Sequence, residues 1–252
     1  MRVQSLGTPL VSAAKEESSK VAVSLWLFDF DNTLARLEPA VDWAASRREL
    51  EPMLRNAGAP EPLFQQFPKG NLLLYEAYRA HLAAMVQRDG AQRTAILLEA
   101  SAIIEKYELK GVDKAPPLAG AVDILDAITR VGSTAGIVTS NSSRTVRSWL
   151  ERNAAKKSVQ IIVGRDSLLP LKPAPDMILE AWKNGEVSAQ RTTYVGDTPA
   201  DCAAARAAGV TFCGIASTQG SRDALRGAGA TEIFVSPAAL AIEKNFISSI
   251  GR

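Results

Sequence analysis

Cysteine and histidine are scarce in this chain, which has two of the first and one of the second in 252 residues. Two thiols, Cys202 and Cys213, cannot build a disulfide framework, and both fall in segments that read as helix or strand. They are expected to be buried free thiols in a reducing compartment. Net charge is also lacking: 29 Lys+Arg against 27 Asp+Glu leave +2, with no basic run long enough to make a nucleic-acid patch. No apolar run reaches the length of a bilayer crossing. Nucleic acid and membrane are therefore set aside as partners. Residues 1–20 lack the apolar centre of a secretory signal, and Glu16 and Glu17 count against a transit peptide. The expectation is a flexible N-terminal arm and a cytoplasmic location, with an organelle address left open.

What is present is an ordinary globular composition, 46% hydrophobic and 22% charged. The length suits one large domain, or one domain carrying a smaller insert. An apolar run from near Val21 ends in Phe28-Asp29-Phe30-Asp31-Asn32-Thr33-Leu34 and reads as a buried strand. After it the spacing turns helical: Tyr75, Tyr78, Leu82 and Met85 share one face, as do Leu97, Ala100, Ile103, Ile104 and Tyr107. Gly58-Ala59-Pro60-Glu61-Pro62 and Pro68-Lys69-Gly70 interrupt this region, and Gly111 with Pro116-Pro117 is expected to close it. From Leu118 onward short apolar strands alternate with helices: strands at 135–139, 159–163, 192–195, 210–215 and 232–235, helices near 122–128, 143–153, 174–184, 199–208 and 221–227. That alternation predicts an α/β fold with a parallel sheet covered by helices on both faces.

Ligands of such sheets bind beyond the carboxyl ends of the strands. Four polar clusters belong there: Asp29 to Thr33, Thr139-Ser140-Asn141, Lys172-Pro173-Ala174-Pro175, and Gly196-Asp197-Thr198-Pro199-Ala200-Asp201. In an extended chain Asp29 and Asp31 point the same way, so two carboxylates crowd one spot and need a cation, a lysine or a shared proton beside them. A carboxylate can attack phosphorus, which makes Asp29 the candidate nucleophile. Both reactants are anionic, so a hard divalent cation such as Mg²⁺ is required, with Asp29 and Asp197 as candidate ligands. Asp31 is placed to protonate a leaving alcohol and then deprotonate water.

Lys172 offers a compact positive charge to a phosphate oxygen and to the nucleophile. Thr139 and Ser140 offer hydroxyl and backbone donors ahead of a helix, with Asn141 either a third donor or a cap. Thr198 and Pro199 read as N-cap and first helical residue. Asp201, on the first turn that follows, either holds Lys172 or binds the metal through water. Arg36 follows the first cluster and is a candidate for a substrate anion, as are Arg47, Arg48 and Arg79, although arginines on helices usually lie on solvated faces. His81 and the tyrosines Tyr75, Tyr78 and Tyr107 are read as packing residues.

These clusters, in this order and spacing, resemble the four motifs of the haloacid dehalogenase superfamily. The resemblance covers about residues 21–36 and 118–240 and implies a Rossmann-like, doubly wound core at 21–36 and 117–252. It further implies an all-helical cap domain at 37–116 of the phosphoglycolate phosphatase-like kind, which closes over the site and selects the substrate. Mg²⁺-dependent phosphoryl transfer through an aspartyl phosphate is implied too, with the backbone carbonyl of Asp31 as a metal ligand. The acid at Asp31 points to a phosphatase or phosphomutase, since the dehalogenase and phosphonatase branches lack it. The expected partner is a small phosphomonoester. The alternatives are a phosphomutase of sugar phosphates and a non-catalytic binding protein of this fold.

Overall fold

The computed structural model describes residues 23–85, 89–183, 185 and 187–247. The arm expected at 1–20 lies outside the described residues. Strand β1 (Leu25–Phe28) is buried along its whole length, as a strand flanked on both edges and covered on both faces must be. It pairs in parallel with β2 (Thr134–Val138) on one side and β4 (Thr192–Gly196) on the other. With β3 (Ile161–Val163), β5 (Thr211–Ile215) and β6 (Glu232–Phe234) they form one six-stranded sheet in the order β3-β2-β1-β4-β5-β6. All pairings are parallel. The chain runs outward from β1 to β3, then crosses to β4 on the opposite side. The β1/β4 boundary is therefore the topological switch point, where ligands of such sheets bind.

Four helices lie between β1 and β2 ahead of the core helices: α1 (Trp43–Asn56), α2 (Glu61–Gln66), α3 (Asn71–Ala84) and α4 (Gly90–Val112). Gly58 and Gly70, both at positive φ, follow the end of α1 and cap the start of α3. The helical region closes where the sequence suggested, with α4 ending at Val112, one residue after Gly111 and ahead of Pro116-Pro117. A Cβ on Gly111 would come 2.7 Å from the Ala40 carbonyl oxygen, so glycine here also permits close packing. The apolar faces of α1 to α4 run into the sheet as one cluster, in which Leu50, Leu74 and Ile104 join Leu25, Leu27 and Tyr194.

The later helices are α5 (Ala121–Arg130), α6 (Ser143–Arg152), α7 (Asp176–Lys183), α8 (Pro199–Ala208), α9 (Gln219–Gly227) and α10 (Pro237–Glu243). The last has no counterpart in the expected elements. Short hydroxyl side chains fix where several of them start: Ser142, Thr198, Thr218 and Ser236 each accept a hydrogen bond from a first-turn amide, worth about 1 kcal/mol apiece. Strand β3 is shorter than its apolar run, because Gln160 bonds Ala135 partly through its side-chain oxygen (3.0 Å) instead of its backbone. Cys202 and Cys213 are buried free thiols. Among the described residues no helix is long and apolar enough to cross a membrane.

Candidate active site

Asp29 directly follows β1, and its amide donates to the Val195 carbonyl at 2.8 Å, so the strand pairing itself sets its position beside β4. Lys172, from the loop after β3, brings Nζ to 2.5 Å from one oxygen of Asp29 and 2.5 Å from Asp201 Oδ1. The same ammonium donates to the Tyr194 hydroxyl at 3.0 Å, and that hydroxyl donates to the Val138 carbonyl at 2.9 Å. Tyr194 was not singled out in the sequence. Its signal was weak: one tyrosine in a strand whose two threonines also carry hydroxyls.

Asp201 is fully buried at the third position of α8, where it completes a capping box with Thr198. Its Oδ2 accepts from the Thr198 hydroxyl (2.6 Å), the Thr198 amide (2.9 Å) and the Asp197 amide (3.2 Å). Of the two roles left open for Asp201, holding Lys172 is the one with direct contacts. Its second oxygen shapes the turn that carries Asp197.

Asp31 and Asp29 receive different partners. Asp31 Oδ1 accepts from the backbone amides of Leu37 (2.9 Å) and Glu38 (3.0 Å), which leaves Oδ2 to carry a proton. Asn32 takes φ 58° here, a left-handed conformation that asparagine tolerates better than most residues. The turn folds back so that Arg36 N–H donates to the Pro116 carbonyl (3.0 Å) and Leu118 N–H to the Leu34 carbonyl (2.8 Å). The two ends of the helical segment are thereby stitched together beside the site.

One lysine is set among several acids, and the acids respond. Burial pushes Asp29 up to about 6, although Lys172 pulls the other way. Burial, opposed by the Glu38 amide, pushes Asp31 up to about 7. Asp197 is pushed up to about 8 by burial first and then by Asp29 and Asp201. Burial works against the charge on Lys172, but Asp201 and Asp29 outweigh it and hold its pKa well above the usual value. Oxygens of Asp29, Asp197 and Asp201 all lie within 4.8 Å of one another. This set of hard oxygen donors, with more negative charge than one lysine balances, fits a divalent cation.

Thr139 and Asn141 are buried, whereas Ser140 is half-buried. The Thr139 hydroxyl donates to Asn141 Oδ1 at 3.1 Å, and the Asn141 side-chain amide donates to Glu108 on α4 at 3.0 Å. Asn141 thus braces the loop with both ends of its side chain. Arg36 is exposed and lines a cleft of about 570 Å³ together with Asn32, Trp43, Asp197, Ser217 and Thr218. Arg47 and Arg79 are engaged elsewhere, with Glu51 at 2.8 Å and Glu76 at 2.7 Å. Glu76 also accepts from the Leu171 amide at 3.2 Å, next to Lys172. His81 stacks on Tyr78, with ring centroids 6.1 Å apart.

Residues 73–215 match the family model of the haloacid dehalogenase-like hydrolases. The chain belongs to this family. A phosphoglycolate phosphatase of Xanthomonas campestris pv. campestris (strain 8004) is 30% identical over 188 residues, 73% of this chain and 79% of that protein. One from Xylella fastidiosa (strain 9a5c) is 29% identical over 195 residues, 77% and 81% of the two chains. Among solved structures, a haloacid dehalogenase-like family hydrolase from Streptococcus pneumoniae superposes with a TM-score of 0.58 at 19% identity, covering 89% of this chain and 99% of that one. As a haloacid dehalogenase-like hydrolase the chain is an enzyme, and its parallel sheet is the Rossmann-like core that the motifs implied.

Proposed function

We propose that this chain hydrolyses a small phosphomonoester with Mg²⁺, through a phosphoryl group carried on Asp29. The observation that carries the reading is Lys172 at 2.5 Å from both Asp29 and Asp201, with Asp197 close by, at the sheet's switch point. An ester phosphate would meet Lys172 and a dication held by these acids, and the names of the chain's relatives speak for the same reaction.

Asp29 and Asp197, with the backbone carbonyl of Asp31, would hold the metal. When bound, the dication supplies the charge neutralisation that lets an anionic carboxylate meet an anionic ester. Asp29 forms the bond to phosphorus as the ester oxygen leaves. Asp31, with its carboxyl pushed up to about 7, gives that oxygen its proton. It then takes a proton from the water that attacks the same phosphorus, which releases phosphate and restores Asp29. Lys172 and the Thr139–Ser140 loop hold the phosphate oxygens, and Arg36 meets the leaving group at the cleft. Residues 37–116 act as the cap that selects the ester.

A phosphate-release assay with Mg²⁺ over a panel of phosphomonoesters, phosphoglycolate and sugar phosphates included, tests this. Release from at least one ester is expected, and release from none would overturn the reading. Isomerised sugar phosphate in place of free phosphate would reassign the chain as a mutase.

A further inference from the structure

Away from the charge-rich site lies a second ionic network. Glu108 on α4 and Arg165, immediately beyond β3, form an ion pair in which both side chains are 0% exposed. Arg165 Nη1 donates to Glu108 Oε1 (2.8 Å) and to the Ser140 carbonyl (2.8 Å), while Nε reaches the Ser101 hydroxyl (3.1 Å). Glu108 accepts from the Asn141 side-chain amide (3.0 Å), the Ser142 amide (3.1 Å) and the Thr145 hydroxyl (3.2 Å). The pair therefore ends on both sides of the Thr139–Asn141 loop and on the start of α6. Backbone contact closes the arrangement: Arg165 N–H donates to the Asn141 carbonyl at 2.9 Å, and a Cβ on Gly164 would lie 2.4 Å from the Ser143 nitrogen.

A buried ion pair contributes little net stability, because desolvation offsets the attraction. What this one does is fix geometry. Asn141 turns one end of its amide to Glu108 and the other to the Thr139 hydroxyl, so an acid on α4 determines where that hydroxyl sits. The Asn141 backbone amide also donates to that hydroxyl at 3.2 Å, so the loop and the pair hold it together. Helix α4 belongs to the segment inserted after β1, and its contacts with α6 place the pair at the junction of insert and sheet.

We propose that Glu108 and Arg165 are positioning residues for phosphate binding. They lock the Thr139–Asn141 loop to α4, so that the loop keeps its phosphate-binding shape only while α4 is docked on α6. This inference rests on the phosphatase reading above.

The test is steady-state kinetics on the full chain with the ester it hydrolyses fastest, together with the inhibition constant of inorganic phosphate. E108Q is expected to raise KM and the phosphate inhibition constant about tenfold, with kcat within about threefold, because a displaced loop weakens phosphate binding before it alters the attacking group. E108M/R165M exchanges the pair for apolar side chains, a change that cores tolerate, and should do the same. S101A, the mildest change, removes one partner of Arg165 and should raise the inhibition constant about threefold. L97A leaves a cavity in α4 but removes no hydrogen-bond partner of the pair, and should lower the melting temperature yet keep both constants within about twofold. An inhibition constant within about 1.5-fold of wild type in every variant that folds would overturn the positioning role. A wild-type chain that releases no phosphate from any ester would instead overturn the phosphatase reading itself.

Discussion

Two buried cation–carboxylate networks stand within this molecule, made of similar parts and balanced differently. Arg165 and Glu108 are matched one to one, and each oxygen of the acid has a donor. Lys172 faces Asp29 and Asp201 at once, with Asp197 within the same oxygen cluster. The first network is complete as it stands. The second is short of positive charge, and burial first, then the neighbouring carboxylates, push Asp29, Asp31 and Asp197 to about 6, 7 and 8. A complete network holds a shape, whereas an incomplete one leaves room for a cation and an anionic ester to finish it. The pair of networks thus separates architecture from chemistry using charge alone.

The sharpest way to probe the incomplete network is through its proton. With Asp31 as the acid, D31N should lower kcat/KM for alkyl phosphates by about 10²- to 10⁴-fold. With p-nitrophenyl phosphate, whose leaving group needs no proton, the loss should be far smaller. Asp31 must be protonated to act, and its carboxyl lies at about 7. Wild-type kcat/KM for alkyl phosphates should therefore fall as pH rises past 7, and D31N should not share that limb. Equal losses on both esters would remove Asp31 from this role.

A smaller effect is expected on stability. The three acids have folded-state pKa values above their unfolded ones, so their contribution is fully present below about pH 4 and is lost as pH rises through 6 to 8. In chelator, the melting temperature should therefore drop by at least about 3 °C between pH 5 and 8, and Mg²⁺ should restore it mainly at the upper end. A pH-independent melting temperature, or no recovery with Mg²⁺, would mean that the site is electrostatically complete without metal.

The strands and the four polar clusters were legible because each is local. A buried parallel strand writes itself as an unbroken apolar run, as at Leu25–Phe28, and a capping residue announces the helix behind it, as Thr198 does for α8. The compensation for the Asp29–Asp31 crowding was legible only as a choice. Lys172 answers for Asp29, whereas Asp31 is met by the amides of Leu37 and Glu38, which no side-chain pattern reveals. Glu108 and Arg165 escaped altogether, since they meet across 57 residues and each resembles an ordinary charge in its own helix or turn. Asn141 shows the same limit: it was a candidate donor by position, yet its amide is committed at both ends. Sequence exposes what a segment does to itself and hides what distant segments do to one another.

The central claim is that Asp29 forms the bond to phosphorus. The most direct measurement is rapid acid quenching during turnover with Mg²⁺, followed by peptide mass mapping, alongside phosphate release by D29N. One phosphoryl group on the peptide bearing Asp29 is expected, with turnover in D29N reduced by at least about 10⁴-fold, because an amide cannot take the nucleophile's place. A phosphoryl group on a different residue, or D29N turning over at the wild-type rate, would contradict the account.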